Sequence, residues 1–314
     1  MNDRNFLEEI KYQWKYGGTH IQLIGVNLLV FLFIGVVSVF GRLIFKSPTN
    51  LLNSLLSDLF VLHGDPAGLA THPWGIFTSI FAHFELFHFL FNMLFLYFAG
   101  RIFLSYFSGG RLLYTYLIGG ILGGVIQIIA HLVFPGLEGQ SVYIIGASGS
   151  IMAIFMAVAF YRPNSTINLF GVLPVRLILL ALVFVLKDFI SLGRPDGVAH
   201  FAHLGGALTG FLSVQNLNAH NNIISVSERF GNKLVAYFAR FGQSKVRTKS
   251  KMKAQKGGAY KTNYNTRSDD EYNQFKKAQQ EELDRILDKI SKAGYDSLTK
   301  KEKQVLFDQS RNGK

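Results

Sequence analysis

The twenty residues from Ile21 to Phe40 include no charged side chain. A bilayer core holds no water for backbone N–H and C=O groups, so such a run is stable there only as a helix. Twenty helical residues reach ~30 Å, the thickness of the hydrocarbon core. Five more apolar stretches follow, near residues 82–99, 112–133, 144–161, 175–192 and 198–214. Together they predict an all-α polytopic membrane protein with six transmembrane helices. The composition agrees: over 314 residues the chain is 49% hydrophobic and 17% charged, with a mean hydropathy of +0.24. There is no cysteine, which excludes disulfides, thiolate metal sites and a cysteine nucleophile.

Charge divides the chain further. After Gly210 there are 21 Lys and Arg against 11 Asp and Glu, which accounts for ten of the twelve net positive charges. We therefore expect a cytosolic N-terminal segment (1–19), a membrane domain (20–215), a basic flexible linker (216–268) and a cytosolic helical module (269–314). Phe6 to Tyr16 mixes charge with aromatics, as a short interfacial helix does. With Glu8 and Glu9 and no small-residue cleavage site, the start is not expected to be a signal peptide. The long connection from Gly41 to Phe81 holds apolar pieces too short to span, which are expected at the interface. Arg4, Lys11, Lys15, Arg101, Arg111, Arg162 and Arg176 fall on one side of the six spans. Arg42, Lys46 and Arg194 fall on the other, which assigns both termini to the cytosol.

The linker carries eleven Lys and Arg and no acid between Glu228 and Asp269. It reads either as a segment lying on anionic lipid or as a solvated charge run; no nucleic-acid partner is expected. In the last module, Leu283, Ile286, Leu287 and Ile290 have helical spacing, and Thr299-Lys300-Lys301-Glu302 is a capping-box pattern that opens a final helix. The stripe is expected to bury itself against Leu306 and Phe307, with a cytosolic partner as the alternative.

Polar groups inside the spans need a reason, because burying them unpaired is costly. Gly146-Ala147-Ser148-Gly149 opens the fourth span. Its bland reading is packing, since small residues let helices approach closely; Gly119, Gly120, Gly123 and Gly124 mark another such contact. His83, Glu85, His88 and Asn92 are assigned to the start of the second span, and His200 and His203 to the sixth. Lys187 and Asp188, near the outer end of the fifth, read as snorkelling or paired. At ~1.5 Å per residue, Ser148 lies ~20 Å above Arg162, His88 ~20 Å above Arg101 and His203 ~18 Å above Gln215. Asn92 is one turn below His88, on the same face. Four polar residues at one depth suit chemistry better than packing. A serine needs a base to lose its proton, and a histidine in contact serves. A tetrahedral oxyanion needs donors, for which His88, Asn92 and the Ser148 backbone N–H are available. A metal reading competes, because His83-x4-His88 beside His200-x2-His203 is similar to the histidine boxes of membrane di-iron oxygenases. The other five histidines are scattered, and a spacing of five divides His83 and His88 between helix faces.

Gly146-Ala147-Ser148-Gly149, His88-x3-Asn92 and Ala202-His203-Leu204-Gly205-Gly206-x3-Gly210 together resemble the rhomboid family of intramembrane serine proteases. The resemblance covers roughly Ile21 to Val214. It implies a rhomboid-like six-helix bundle in the cell (inner) membrane and a serine endopeptidase that cleaves transmembrane proteins near their extracytoplasmic end, without cofactor or metal. Ser148 would be the nucleophile and His203 its base, a dyad without an acid, with His88 and Asn92 at the oxyanion positions. Gly146 and Gly149 flank the serine, and Gly206 and Gly210 let the sixth span approach the fourth. Trp74 resembles the aromatic residue ahead of the second span. Many members carry Tyr one turn after the serine, where this chain has Met152. His200 lies outside the motif and reads as a rim or structural histidine, expected to be dispensable. The alternative is a catalytically silent rhomboid-like protein that binds membrane clients.

Overall fold

A computed structural model describes residues 5–45, 50–137, 143–169, 172–217, 219–242, 282–291, 294–299 and 301–306. Apolar sequence becomes helix in all six expected places. Helix α1 (Phe6–Tyr16) opens on a capping box, with Asn5 Oδ1 accepting from Glu8 N–H at 2.9 Å. Gly18, with φ at 81°, breaks it from α2 (Gly18–Phe45). The first connection folds as α3 (Leu51–Phe60), β1 (Leu62–His63), α4 (Pro66–Thr71), α5 (Gly75–Thr78) and a 3-10 turn at Ser79–Phe81. Then come α6 (Leu86–Leu104), α7 (Gly109–Val133), β2 (Tyr143–Ile144), α8 (Ser148–Tyr161), β3 (Thr166–Leu169), β4 (Leu173–Arg176), α9 (Leu177–Ile190), α10 (His200–Val214) and α11 (Ile223–Gly242). The strands form two small antiparallel pairs, β1 with β2 and β3 with β4. Pairing of Leu62 with Ile144 and His63 with Tyr143 ties the first connection to the segment entering α8.

Only α2, α6 and α7 among the described helices are long and apolar enough to cross a membrane unaided. Helices α8, α9 and α10 have 14, 14 and 15 residues, or ~21–23 Å at 1.5 Å per residue, short of a ~30 Å core. For α8 the reason is packing. Every residue from Gly149 to Ala159 is buried, with α6, α7, α9 and α10 around it. A helix sheathed by protein need not present its ends to lipid. Helices α2 and α6 instead turn large apolar side chains such as Leu29, Phe33, Phe87 and Phe91 outward, where lipid would lie.

Three boundaries differ from the sequence expectation. Helix α6 starts at Leu86, because Ala82 is already extended after the 3-10 turn; His83 and Glu85 therefore precede the helix. Helix α8 starts at Ser148, because Ile144 is in a strand and Gly146 has φ at 110°, a region that L side chains avoid. Residues 223–242, expected within a flexible linker, form α11. Asn222 caps its start, accepting from Ile224 and Ser225 N–H, while its amide donates to the Ser213 and Gln215 carbonyls. The buried Arg111 guanidinium joins them, donating to Ser213 O at 2.5 Å and Asn222 Oδ1 at 3.1 Å. The rest of that stretch, residues 243–268, lies outside the described residues.

The chain divides into two compact units, Met1–Met252 and Lys253–Lys314. In the second, helices cover residues 282–291 and 301–306. Ile286 is fully buried and Leu287 about half exposed; Phe307 lies outside the described residues. The Thr299 capping box forms: Glu302 Oε2 accepts from Thr299 N–H at 2.8 Å, and Thr299 Oγ1 from Glu302 N–H at 3.3 Å. The Thr299 N–H bond to the carboxylate, the Lys289 ammonium at 2.9 Å and the Thr299 hydroxyl, which donates to Oε2 at 2.9 Å, hold the Glu302 carboxyl down at about 2, from an ordinary 4.5. A carboxyl depressed on folding contributes stability above its unfolded value and loses it as pH falls through the folded one. The amide resonances of residues 301–306 should therefore lose their helical positions between pH ~4.5 and ~2. In Glu302→Ala they should be displaced already at neutral pH, with no further step in that window. An identical acid step in the variant would remove the carboxyl from the account.

Candidate active site

Three residues, Ile145 to Ala147, turn the chain from β2 into α8. Gly146 makes the turn, its N–H donating to Ser79 O at 3.0 Å, and Ala147 N–H donates to His83 Nε2 at 3.3 Å. A side chain at Gly146 would stand 2.8 Å from His88 Cε1 and 2.9 Å from Nε2, so the ring of His88 lies against this turn. Ser148 is thus the first residue of a buried helix, where backbone N–H groups lack helical partners and the dipole favours negative charge. A small cavity has Ser148 in its wall together with Ser79, Gly120, Gly124 and Ala202.

His203 comes from the first turn of α10, and its Nε2 is 2.8 Å from Ser148 Oγ. Backbone approach allows this distance. A Cβ at Gly206 would overlap the Gly149 carbonyl oxygen, one at Gly210 the Ala153 carbonyl oxygen, and one at Gly123 the Ala202 carbonyl. Gln127 Oε1 accepts the Ala202 N–H at 3.1 Å, which fixes the turn that carries His203.

An acid stands behind that histidine, contrary to the expectation of a dyad alone. Asp188, in the last turn of α9, has both carboxylate oxygens 3.1 Å from His203 Nδ1. It also meets His200 Nδ1 at 2.8 Å and Lys187 Nζ at 3.2 Å. Asp188 is 1% exposed and His200 3%. Of the two readings of Lys187 and Asp188, snorkelling or paired, the buried Asp188 takes the second, with histidine partners the sequence did not show; of the two readings of His200, rim or structural, its burial fits the structural one. One signal was available: α9 and α10 are joined by a short connection, so the last turn of one stands at the depth of the first turn of the other.

His88 and Asn92 both lie on α6, and the Asn92 amide donates to the His88 carbonyl at 2.9 Å. His83 sits off the helix, its ring 5.1 Å from that of His88. Trp74 Nε1–H donates to Asp58 O at 2.8 Å in the first connection. Met152 is buried one turn below Ser148. The histidines do not gather as one four-histidine box. Among the described residues, carboxylate and imidazole atoms converge in two places, Asp58 with His63 and His72, and Asp188 with His200 and His203. In the second, Asp188 is hydrogen-bonded to both histidines, and His203 is also hydrogen-bonded to Ser148.

Residues 70–217 match the rhomboid domain model, and residues 267–312 match DUF6576, a family of unknown function. RHOMBOID-like protein 12, mitochondrial, from Arabidopsis thaliana is 32% identical over 143 residues, 42% of this chain and 43% of that protein. RHOMBOID-like protein 1 of the same plant is 32% identical over 142 residues, 44% of this chain and 33% of its own. Presenilin-associated rhomboid-like protein A, mitochondrial, from Danio rerio is 31% identical over 138 residues, 42% of this chain and 34% of its own. The match spans less than half the length of each of these relatives. The domain match begins in the first connection and ends just beyond α10, enclosing the hydrogen-bonded group around Ser148, so residues 70–217 of this chain are matched as a rhomboid domain.

Proposed function

We propose that this chain is an intramembrane serine endopeptidase that cleaves transmembrane proteins near their extracytoplasmic end. The observation that carries the reading is the 2.8 Å contact of His203 Nε2 with Ser148 Oγ at the start of a buried helix. As Ser148 Oγ bonds to the scissile carbonyl carbon, its proton passes to His203 Nε2. The oxyanion meets the Ser148 backbone N–H and the positive end of the α8 dipole, with His88 and Asn92 as side-chain donors. His203 then protonates the leaving amine, and water entering by the cavity hydrolyses the acyl-enzyme, with His203 again taking a proton. A helix hides its carbonyls in its own hydrogen bonds, so the substrate segment must unwind locally, and small or helix-breaking residues are expected there.

The same reading puts the chain in the cell (inner) membrane, in contact with lipid, with both termini and the 269–314 module in the cytosol, following the Lys and Arg asymmetry. On this reading the module is free to meet a cytosolic partner.

A fluorophosphonate probe on the purified full-length protein tests the proposal: the label should map to Ser148, alongside cleavage of a transmembrane reporter. His88→Ala and Asn92→Ala should each slow cleavage by about 10²–10³ while labelling persists in part. Wild-type rates in both would remove the side-chain oxyanion role. A folded protein that neither labels nor cleaves would leave a silent, client-binding rhomboid-like protein.

A further inference from the structure

His203 has two ring nitrogens, and the proposed reaction uses one. To take the serine proton, Nε2 must be bare, so in the neutral ring the proton has to sit on Nδ1. Neither tautomer is strongly preferred by an imidazole alone; the bond at the other nitrogen selects it. Here that bond is to Asp188, with Oδ1 and Oδ2 each 3.1 Å from Nδ1. The apolar face of α9 has no other reason to bury a carboxylate, since a buried charge is costly unless it is fully bonded. Asp188 is fully bonded. His203 occupies both oxygens, and Oδ1 also meets His200 Nδ1 at 2.8 Å and the solvent-facing Lys187 Nζ at 3.2 Å.

His200 closes the arrangement. Its Nε2 meets Asp196 Oδ2 at 3.1 Å, so a ring 3% exposed has a carboxylate at each nitrogen. We infer that Asp188 is a positioning residue that completes an Asp188–His203–Ser148 triad, and that His200, hydrogen-bonded to Asp188 on one side and Asp196 on the other, clamps the acid in place. No proton passes to Asp188 in this scheme. His203 keeps its Nδ1 proton throughout, gains the serine proton at Nε2, and the carboxylate stabilises the imidazolium that forms.

The rate consequence rests on the protease reading above; the tautomer does not. The test uses the full chain in detergent micelles. Asp188→Asn keeps the size of the side chain and turns a donor toward Nδ1, which favours the wrong tautomer. We expect kcat on a transmembrane reporter to fall by about 10²–10⁴ with KM nearly unchanged, and Asp188→Glu to recover part of the loss. His200→Gln should give a smaller fall of the same kind. In 15N imidazole spectra, wild-type His203 should be protonated at Nδ1, and Asp188→Asn should move that proton to Nε2. Cleavage by Asp188→Asn within threefold of wild type overturns the inference. So does a wild-type spectrum with His203 protonated at Nε2 rather than Nδ1, and that spectrum decides even if the variant does not fold or the wild type does not cleave. An inactive wild type with the expected spectrum would count against the protease reading and for the triad.

Discussion

Ser148→Ala is expected to abolish both cleavage and probe labelling, a loss of about 10⁴-fold or more, with the unfolding temperature nearly unchanged. The two halves of that expectation have separate causes. The hydroxyl is the atom that bonds to substrate, so no neighbour replaces it. The fold does not need it: the turn into α8 is held by the bonds of Gly146 N–H to Ser79 and of Ala147 N–H to His83, and alanine is the best helix former. Ser150 is the obvious substitute nucleophile and is poorly placed. It is fully buried, faces Gly120 on α7, and its hydroxyl has no hydrogen-bond partner among the described residues. Residual cleavage above about 1% in Ser148→Ala, far beyond what the oxyanion donors alone sustain, would move the nucleophile elsewhere.

The depth argument brought Ser148 and His203 together because it uses two quantities a sequence does carry, the rise per residue and the charged residue at each inner edge. It failed at segment starts. His83 and Glu85 looked helical because Phe84, Leu86 and Phe87 continue the apolar character of α6, yet the 3-10 turn at Ser79–Phe81 ends in extended backbone and delays the helix to Leu86. Asp188 was visible as an acid in an apolar segment, but a one-dimensional pattern cannot say whether such a group snorkels or turns inward. That depends on where α9 crosses α10. Helix α11 was hidden for a different reason. Its Lys and Arg content reads as solvated linker, whereas its start is fixed by Asn222 and Arg111, a polar contact between residues 111 positions apart. The β1–β2 pair, two residues long on each side, carries no periodicity that a sequence reading could detect.

Gly206→Ala should be the most damaging single methyl in the bundle that touches no reacting atom. A Cβ there overlaps the Gly149 carbonyl oxygen and stands 2.9 Å from the Gly149 carbonyl carbon and 3.2 Å from its Cα. These are backbone atoms at the start of α8, so no rotamer change relieves the clash, and α10 must move away. Overpacking of this kind costs about 1–3 kcal/mol. The larger effect is on geometry. Gly206 is one turn after His203, and Gly149 follows Ser148, so the displaced contact is the one that sets the 2.8 Å reach of His203 Nε2 to Ser148 Oγ. A shift of ~1 Å in a reacting pair can cost about 10²-fold in rate. Gly35→Ala is the control: it also lies in a membrane helix, α2, but a Cβ there meets nothing within 4 Å. The methyl at Gly35 should leave activity intact and raise helix stability slightly, by up to ~1 kcal/mol. Measured side by side, Gly206→Ala should lose about 10²-fold in kcat while remaining folded at assay temperature. Equal activity in the two variants would mean that α10 can be displaced from α8 without disturbing the serine–histidine contact, and the glycine approach would then not be what aligns the site.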